Sequence, residues 1–238
     1  MVMIPKPNKD HTKIKGLRPI VLPNTVGKLS DKVVADLLQR QTKLFHDLQY
    51  GSRKGRSATD ALMILTTTAQ KEIAAGSQAT LLGKDIISAF NNVRKDKLMA
   101  MLEEKGLHQE ARYCNDFLHP RSFQISWDSE ERGKVTMADR TPQGSPLSPV
   151  LWLIYFGNTL LRAEERCKGT TLIARCSSTR LRSLPSPQQT TIRILLVSYV
   201  DDLNPLVVSR KTSIKDHNKI VHRVEEILEK EATKDHLH

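Results

Sequence analysis

Cysteine is scarce. Cys114, Cys167 and Cys176 are the only three in 238 residues, and they are widely scattered. That excludes a disulfide framework and a cysteine zinc site, both of which need grouped thiols, and it fits a reducing compartment. Aromatic residues amount to 5%, so a core must be built mainly from aliphatic side chains. Long hydrophobic runs are absent: no window reaches the ~18 apolar residues of a membrane-spanning helix. The opening MVMIPKPNKD lacks the apolar segment of a secretory signal. The expectation is an intracellular chain without a membrane partner, in nucleus or cytoplasm, with the mitochondrion left open. Acidic charge is also in deficit, 26 Asp and Glu against 37 Lys and Arg, for a net +11. Such an excess points to a polyanionic partner, of which nucleic acid is the usual one; the alternative is a basic protein that is merely soluble.

No internal repeat is visible, and the length suits one sizeable domain or two small lobes. A basic, proline-interrupted segment with Lys6, Lys9, Lys13, Lys15 and Arg18 opens the chain, followed by the apolar PIVLP. The stretch LSDKVVADLLQRQTKLF predicts a helix with Ser30 as its N-cap and Val33, Val34, Leu37 and Leu38 inward. A second helix is expected after Ser57, ending at Gly76, and then a strand in ATLLGKDIISAF that finishes near Asp85. The next helix, RKDKLMAMLEEKG, turns Leu98, Met101 and Leu102 inward, and SFQISWDSEERGKVTMAD alternates as a hairpin. VLWLIYFGNTLL is apolar all round and reads as a buried helix started by Ser148 and Pro149. Residues 168–190 read as a mobile basic loop. A last helix around IVHRVEEILEKEA shows Ile220, Val221, Val224, Ile227 and Leu228 on one face. The order of elements is that of an α+β fold.

Within ILLVSYVDDLNPLVV two adjacent carboxylates, Asp201 and Asp202, interrupt an apolar run that reads as two strands and a turn. An acidic surface turn is one reading, because Asp is a common turn residue. A site for hard cations is the other, since carboxylates on a rigid turn suit magnesium. Asp85 ends its own apolar strand. If that strand pairs beside the hairpin, three carboxylates converge and demand divalent cations, as two-metal phosphoryl transfer requires. Pro205 falls within the second strand of the hairpin, which predicts an edge strand or a bulge there.

KDIISAFNNV, TPQGSPLSPVLW and SYVDD, in that order, resemble the three core motifs of reverse transcriptases. Upstream, MIPKPNKD with LRPIVL, and QYGSRKGRSATDAL, are similar to fingers motifs of the non-LTR retrotransposon type, closest to the fungal elements. The likeness runs from residue 3 to about 210. It implies the fingers and palm of a right-hand polymerase, with the thumb largely missing. Residues 1–80 would be fingers, 81–210 palm (with an insert at about 94–140), and 211–238 a helix leading towards the thumb. It implies RNA-directed DNA polymerase activity, two magnesium ions with manganese as a substitute, an RNA template, a DNA primer and dNTPs. Endonuclease and thumb parts of such a polyprotein are not recognisable in the chain. By position in the motifs, Asp85 and Asp201 match the metal-binding aspartates and Asp202 the third carboxylate. Phe90 matches the aromatic that bars a ribose hydroxyl, Gln143 and Gly144 match the PQG turn at the nucleotide, and Lys6 and Arg18 match residues that grip the triphosphate. An RNA-dependent RNA polymerase would carry GDD and a polar residue in place of Phe90. A decayed remnant that only binds nucleic acid is the remaining alternative.

Overall fold

In the computed structural model, residues 1–13, 16–87, 89–127, 130–137, 141–170 and 191–237 are described. In chain order the elements are β1 (Val2–Pro5), β2 (Leu17–Ile20), α1 (Thr25–Arg40), α2 (Ala58–Ala74), β3 (Gln78–Leu81), β4 (Lys84–Asp85), α3 (Lys95–Glu104), α4 (His108–Phe117), β5 (Arg121–Trp127), β6 (Glu130–Met137), α5 (Ser148–Thr170), β7 (Thr191–Tyr199), β8 (Asp202–Arg210) and α6 (Ile214–Lys234). Helices mixed with two largely antiparallel sheets make this an α+β fold. The chain divides into two compact units, Met1–Leu44 with Ser88–Tyr155, and Phe45–Ile87 with Phe156–His238.

The first unit holds a sheet of order β2-β1-β5-β6. β1 and β2 form an antiparallel pair with Ile4 opposite Arg18, and the expected hairpin is β5–β6, Arg121 opposite Met137. Helix α1 begins ahead of the expected cap. Asn24 accepts a hydrogen bond from Gly27 N at 2.6 Å, and Ser30, inside the helix, donates instead to the Val26 carbonyl at 3.1 Å. Asn is as strong an N-cap as Ser, so the first competent residue takes the role. The buried stripe is Asp31, Ala35 and Leu38, while Val33 and Leu37, expected inward, are 52% and 41% exposed. Leu98 and Leu102 of α3 are fully buried, as is Leu147 ahead of α5. Helix α4 was not anticipated from the sequence.

The second unit is built on β8, which has β7 along one side and β3 followed by β4 along the other. Both faces of β8 are covered, which is why Leu206, Val207, Val208 and Ser209 are all buried and the sequence there does not alternate. Leu195, Val197, Leu206 and Val208 pack with Ala61 and Leu65 of α2. Ser57 caps α2 in a reciprocal capping box with Asp60. On α6 the expected face is inward, Val224, Ile227 and Leu228 being buried together with His217 and Glu231.

Pro205 corrects one expectation, for β8 is central rather than an edge. Its carbonyl accepts from Leu82 N at 2.9 Å. In an antiparallel strand the N–H and C=O of a residue point the same way, so the missing donor of Pro205 falls at Leu82–Gly83, where β3 has ended and β4 has not begun. The break in the neighbouring ladder does the work of an edge. Cys114 and Cys167 are buried, and burial pushes the pKa of their thiols up to about 12 and about 11 respectively, which disfavours the reactive thiolate. Of the loop expected at 168–190, residues up to Thr170 belong to α5 and 171–190 lie outside the described residues, as does Cys176.

Candidate active site

The second unit brings the three expected carboxylates to one end of its sheet. In the β4–β8 register Asp85 stands opposite Asp202, and across the β7–β8 hairpin Tyr199 stands opposite Asp202, leaving Val200 and Asp201 as the turn. Ile86 N donates to the Asp201 carbonyl at 3.3 Å, which ties the end of β4 to that turn. Val200 is held at φ +57°. A β-branched residue in the left-handed region costs about 1–2 kcal/mol, so the turn is kept by its surroundings rather than by its own preference.

Asp85 and Asp202 are exposed and Asp201 is half-buried. Burial pushes the Asp201 carboxyl above the ordinary carboxylate range, and the nearby charges of Asp202 and Asp85 push it the same way. Asp202 and Asp85 thus place negative charge beside Asp201. The neighbouring cation, Lys84, is engaged elsewhere, with Glu229 at 3.1 Å and Glu225 at 3.5 Å on α6. Oxygen donors with surplus negative charge are the donor set a hard divalent cation takes. Among the described residues there is no group of three or more His, Cys, Asp or Glu side chains placed to hold a metal ion, the three aspartates included. Magnesium does not need one, since it binds through one or two carboxylates and fills its shell with water and phosphate oxygens.

The other five expected residues lie in the first unit. Arg18, exposed on β2, and Lys6, just past the end of β1, belong to the same antiparallel pair. Lys6 N donates to the Gly16 carbonyl at 2.8 Å. The strand end meets the PQG turn directly: Val21 N donates to the Gln143 carbonyl at 2.7 Å. Gly144 sits at φ +115°, and a Cβ there would lie 2.3 Å from the Val21 carbonyl oxygen, so only glycine fits. Phe90 is half-buried, its ring centroid 6.3 Å from that of Trp152 and its carbonyl accepting from the Thr141 hydroxyl.

Several residues that hold these groups escaped the sequence reading. The TPQGSPLS loop is pinned by its own hydroxyls: Ser148 donates to the Pro142 carbonyl at 2.7 Å, and Ser145 donates to Asp31 at 2.7 Å. Tyr113 of α4 donates to the other oxygen of Asp31 at 2.8 Å. A carboxylate recurring with Ala35 and Leu38 on the buried stripe of α1 was the signal available in the sequence. In the second unit, Tyr50 N donates to the Ser198 carbonyl at 2.9 Å and Ser198 N to the Leu48 carbonyl at 3.0 Å, so the QYG segment lies along β7 beside the turn.

Residues 4–235 match the family model described as reverse transcriptase (RNA-dependent DNA polymerase). The chain belongs to the reverse transcriptase family. It is similar to two proteins of Drosophila melanogaster: a probable RNA-directed DNA polymerase from transposon BS, 24% identical over 158 residues, and the RNA-directed DNA polymerase from mobile element jockey, 26% identical over 163 residues. Each alignment takes in 65% of this chain and 17% of the relative, so this reverse transcriptase chain spans a small part of the length of either. Among solved structures it resembles telomerase from Candida albicans, with a TM-score of 0.41 and 14% identity over 86% of this chain and 32% of that one. Reverse transcriptases as a family work with divalent metal ions. No helix among the described residues is long and apolar enough to cross a membrane.

Proposed function

We propose that this chain is the polymerase part of a non-LTR retrotransposon of fungal type, and that it extends a DNA primer along an RNA template by two-metal nucleotidyl transfer. The observation that carries the reading is the sheet end where Asp85 and Asp202 stand in register, Asp201 fills the adjoining turn, and both neighbouring carboxylates act on Asp201. Asp85, Asp201 and Asp202 would hold two magnesium ions, or manganese in their place. When bound, the ions lower the pKa of the attacking primer hydroxyl and neutralise the leaving pyrophosphate. The chain's own residues supply position. Lys6 and Arg18 offer cationic donors to the triphosphate, a task for which the guanidinium fork is suited. Gln143 and Gly144 present bare backbone to the nucleotide, and Phe90 bars the ribose hydroxyl. Residues 1–80 are assigned to fingers, 81–210 to palm and 211–238 to a helix leading towards a thumb. RNA template, DNA primer and dNTPs are the partners, and nucleus or cytoplasm the compartment.

The test is primer extension on homopolymer RNA with magnesium, wild type beside Asp201→Asn. Loss of this ligand is expected to lower extension about a hundredfold or more. Replacing the carboxylate also removes repulsion, so the midpoint of thermal unfolding in chelator should be no lower than that of wild type. Undiminished extension by folded Asp201→Asn would overturn the metal-site reading. A wild type that binds primer-template without extending it would favour the nucleic-acid-binding remnant instead.

A further inference from the structure

The turn that carries Asp201 is strained, and it is held by residues 45–51, whose last three, Gln49, Tyr50 and Gly51, open the QYGSRKGRSATDAL stretch. Residues 45–51 run beside β7 as a short parallel bridge, Gln49 opposite Ser198. At its far end the segment is anchored on α5. Leu48 N donates to His46 Nδ1 at 3.2 Å, which leaves the proton on Nε2 to face Glu164 at 3.2 Å. Gln49, fully buried, accepts from His46 N at 2.9 Å. Two arginines close the loop from outside: Arg53 donates to the His46 carbonyl at 3.0 Å and Arg56 to the Gln49 carbonyl at 3.2 Å. A rigid, doubly anchored loop thus reaches β7 just before its turn.

Its last residue makes the decisive contact. A Cβ on Gly51 would lie 2.5 Å from Val200 N, 2.5 Å from a Val200 methyl and 3.1 Å from the Tyr199 carbonyl carbon. Two of these three are backbone atoms, which can yield only if the turn itself moves. The bare backbone of Gly51 therefore packs directly against Val200, at φ +57° with Asp201 next in the chain, where a side chain has no room. We propose that Gly51, backed by the loop that His46 and Gln49 anchor, is the positioning residue of the carboxylate turn: it fixes where Asp201 presents its oxygens to the cation. The proposal rests on the metal-site reading above.

The experiment is manganese binding to the free protein, followed by EPR of unbound Mn2+, alongside extension kinetics. Gly51→Ala must push Val200 and so displace Asp201. It should weaken Mn2+ binding about tenfold, in the range found when a group that orients a metal ligand is lost. It should also lower kcat for extension while KM for primer-template stays unchanged. Adding Val200→Gly removes the methyl and lets the turn shift freely in the left-handed region, so Gly51→Ala with Val200→Gly should recover most of the affinity. Wild-type Mn2+ binding in Gly51→Ala would overturn the proposal, as would an affinity that the double variant fails to recover. If Gly51→Ala does not fold, the double variant decides: near-wild-type binding supports positioning, and failure to fold or to bind overturns it. Weak or absent Mn2+ binding by wild type, or equal binding by Asp201→Asn, would overturn the metal-site reading itself, and is read without any Gly51 variant.

Discussion

Phe90 is fixed at two points, its carbonyl by Thr141 and its ring against Trp152, yet it stays half-exposed. A wholly structural phenylalanine would be buried, whereas one that bars a sugar hydroxyl must show an edge. Overpacking at a rigid site costs about 1–3 kcal/mol, enough for roughly tenfold discrimination between sugars. Phe90→Val should therefore raise ribonucleotide use relative to deoxynucleotide use about tenfold, measured as the ratio of kcat/KM values. Unchanged selectivity in an active variant would make Phe90 a packing residue only. At this scale the sequence was most legible where chemistry conflicts with surroundings. Adjacent carboxylates in an apolar run signal themselves, and the structure places Asp85, Asp201 and Asp202 at one sheet end as expected. Gly51 and Asp31 did not stand out, because their roles depend on partners far along the chain, Val200 for one and Ser145 and Tyr113 for the other.

Element by element, legibility followed the strength of local signals. Helix α2 declared itself through the Ser57–Asp60 box, whereas α1 was misplaced because two good caps, Asn24 and Ser30, lie within two turns of each other. Helix α4 has no side-chain cap and buries only Ala111, Cys114 and Phe117, so no aliphatic stripe marked it. Polar fastenings between elements were equally hidden. His217, near the start of α6, pairs its Nδ1 with the Ser209 hydroxyl of β8 at 2.7 Å and its Nε2 with the Thr80 hydroxyl of β3 at 2.9 Å. Burial lowers its pKa from the ordinary 6.5. The unfolded chain then takes up this proton at a higher pH than the folded one, so stability from this site is whole above about pH 6.5 and is lost as pH falls through 6.5 towards the lower folded value. Urea unfolding of wild type and His217→Asn between pH 8 and 5 checks this. The wild-type advantage should shrink on acidification, and an advantage that grew would reverse the assignment.

For the molecule as a whole, the +11 charge should make binding to primer-template steeply salt-dependent. Each phosphate neutralised on duplex DNA adds about 0.9 to the log–log slope, so engagement of six would weaken binding about a thousandfold between 50 and 200 mM salt. Fluorescence anisotropy across that range measures it, and a flat profile would reduce the charge to a matter of solubility. Composition made this legible, but the division of the chain was not, because each compact unit is stitched from two separate segments. That interleaving governs the order of assembly during synthesis. Residues 45–87 emerge from the ribosome carrying β3, β4 and Asp85 but not β8, the strand that pairs with both. The β7–β8 hairpin closes locally and quickly once made, whereas β3 and β4 must wait for it across the intervening first-unit segment, a long loop that is slow to close. The pair Asp201 and Asp202 thus exists as a unit before Asp85 joins it, and a nascent chain halted before β8 holds unpaired strand edges, the kind of surface that chaperones cover.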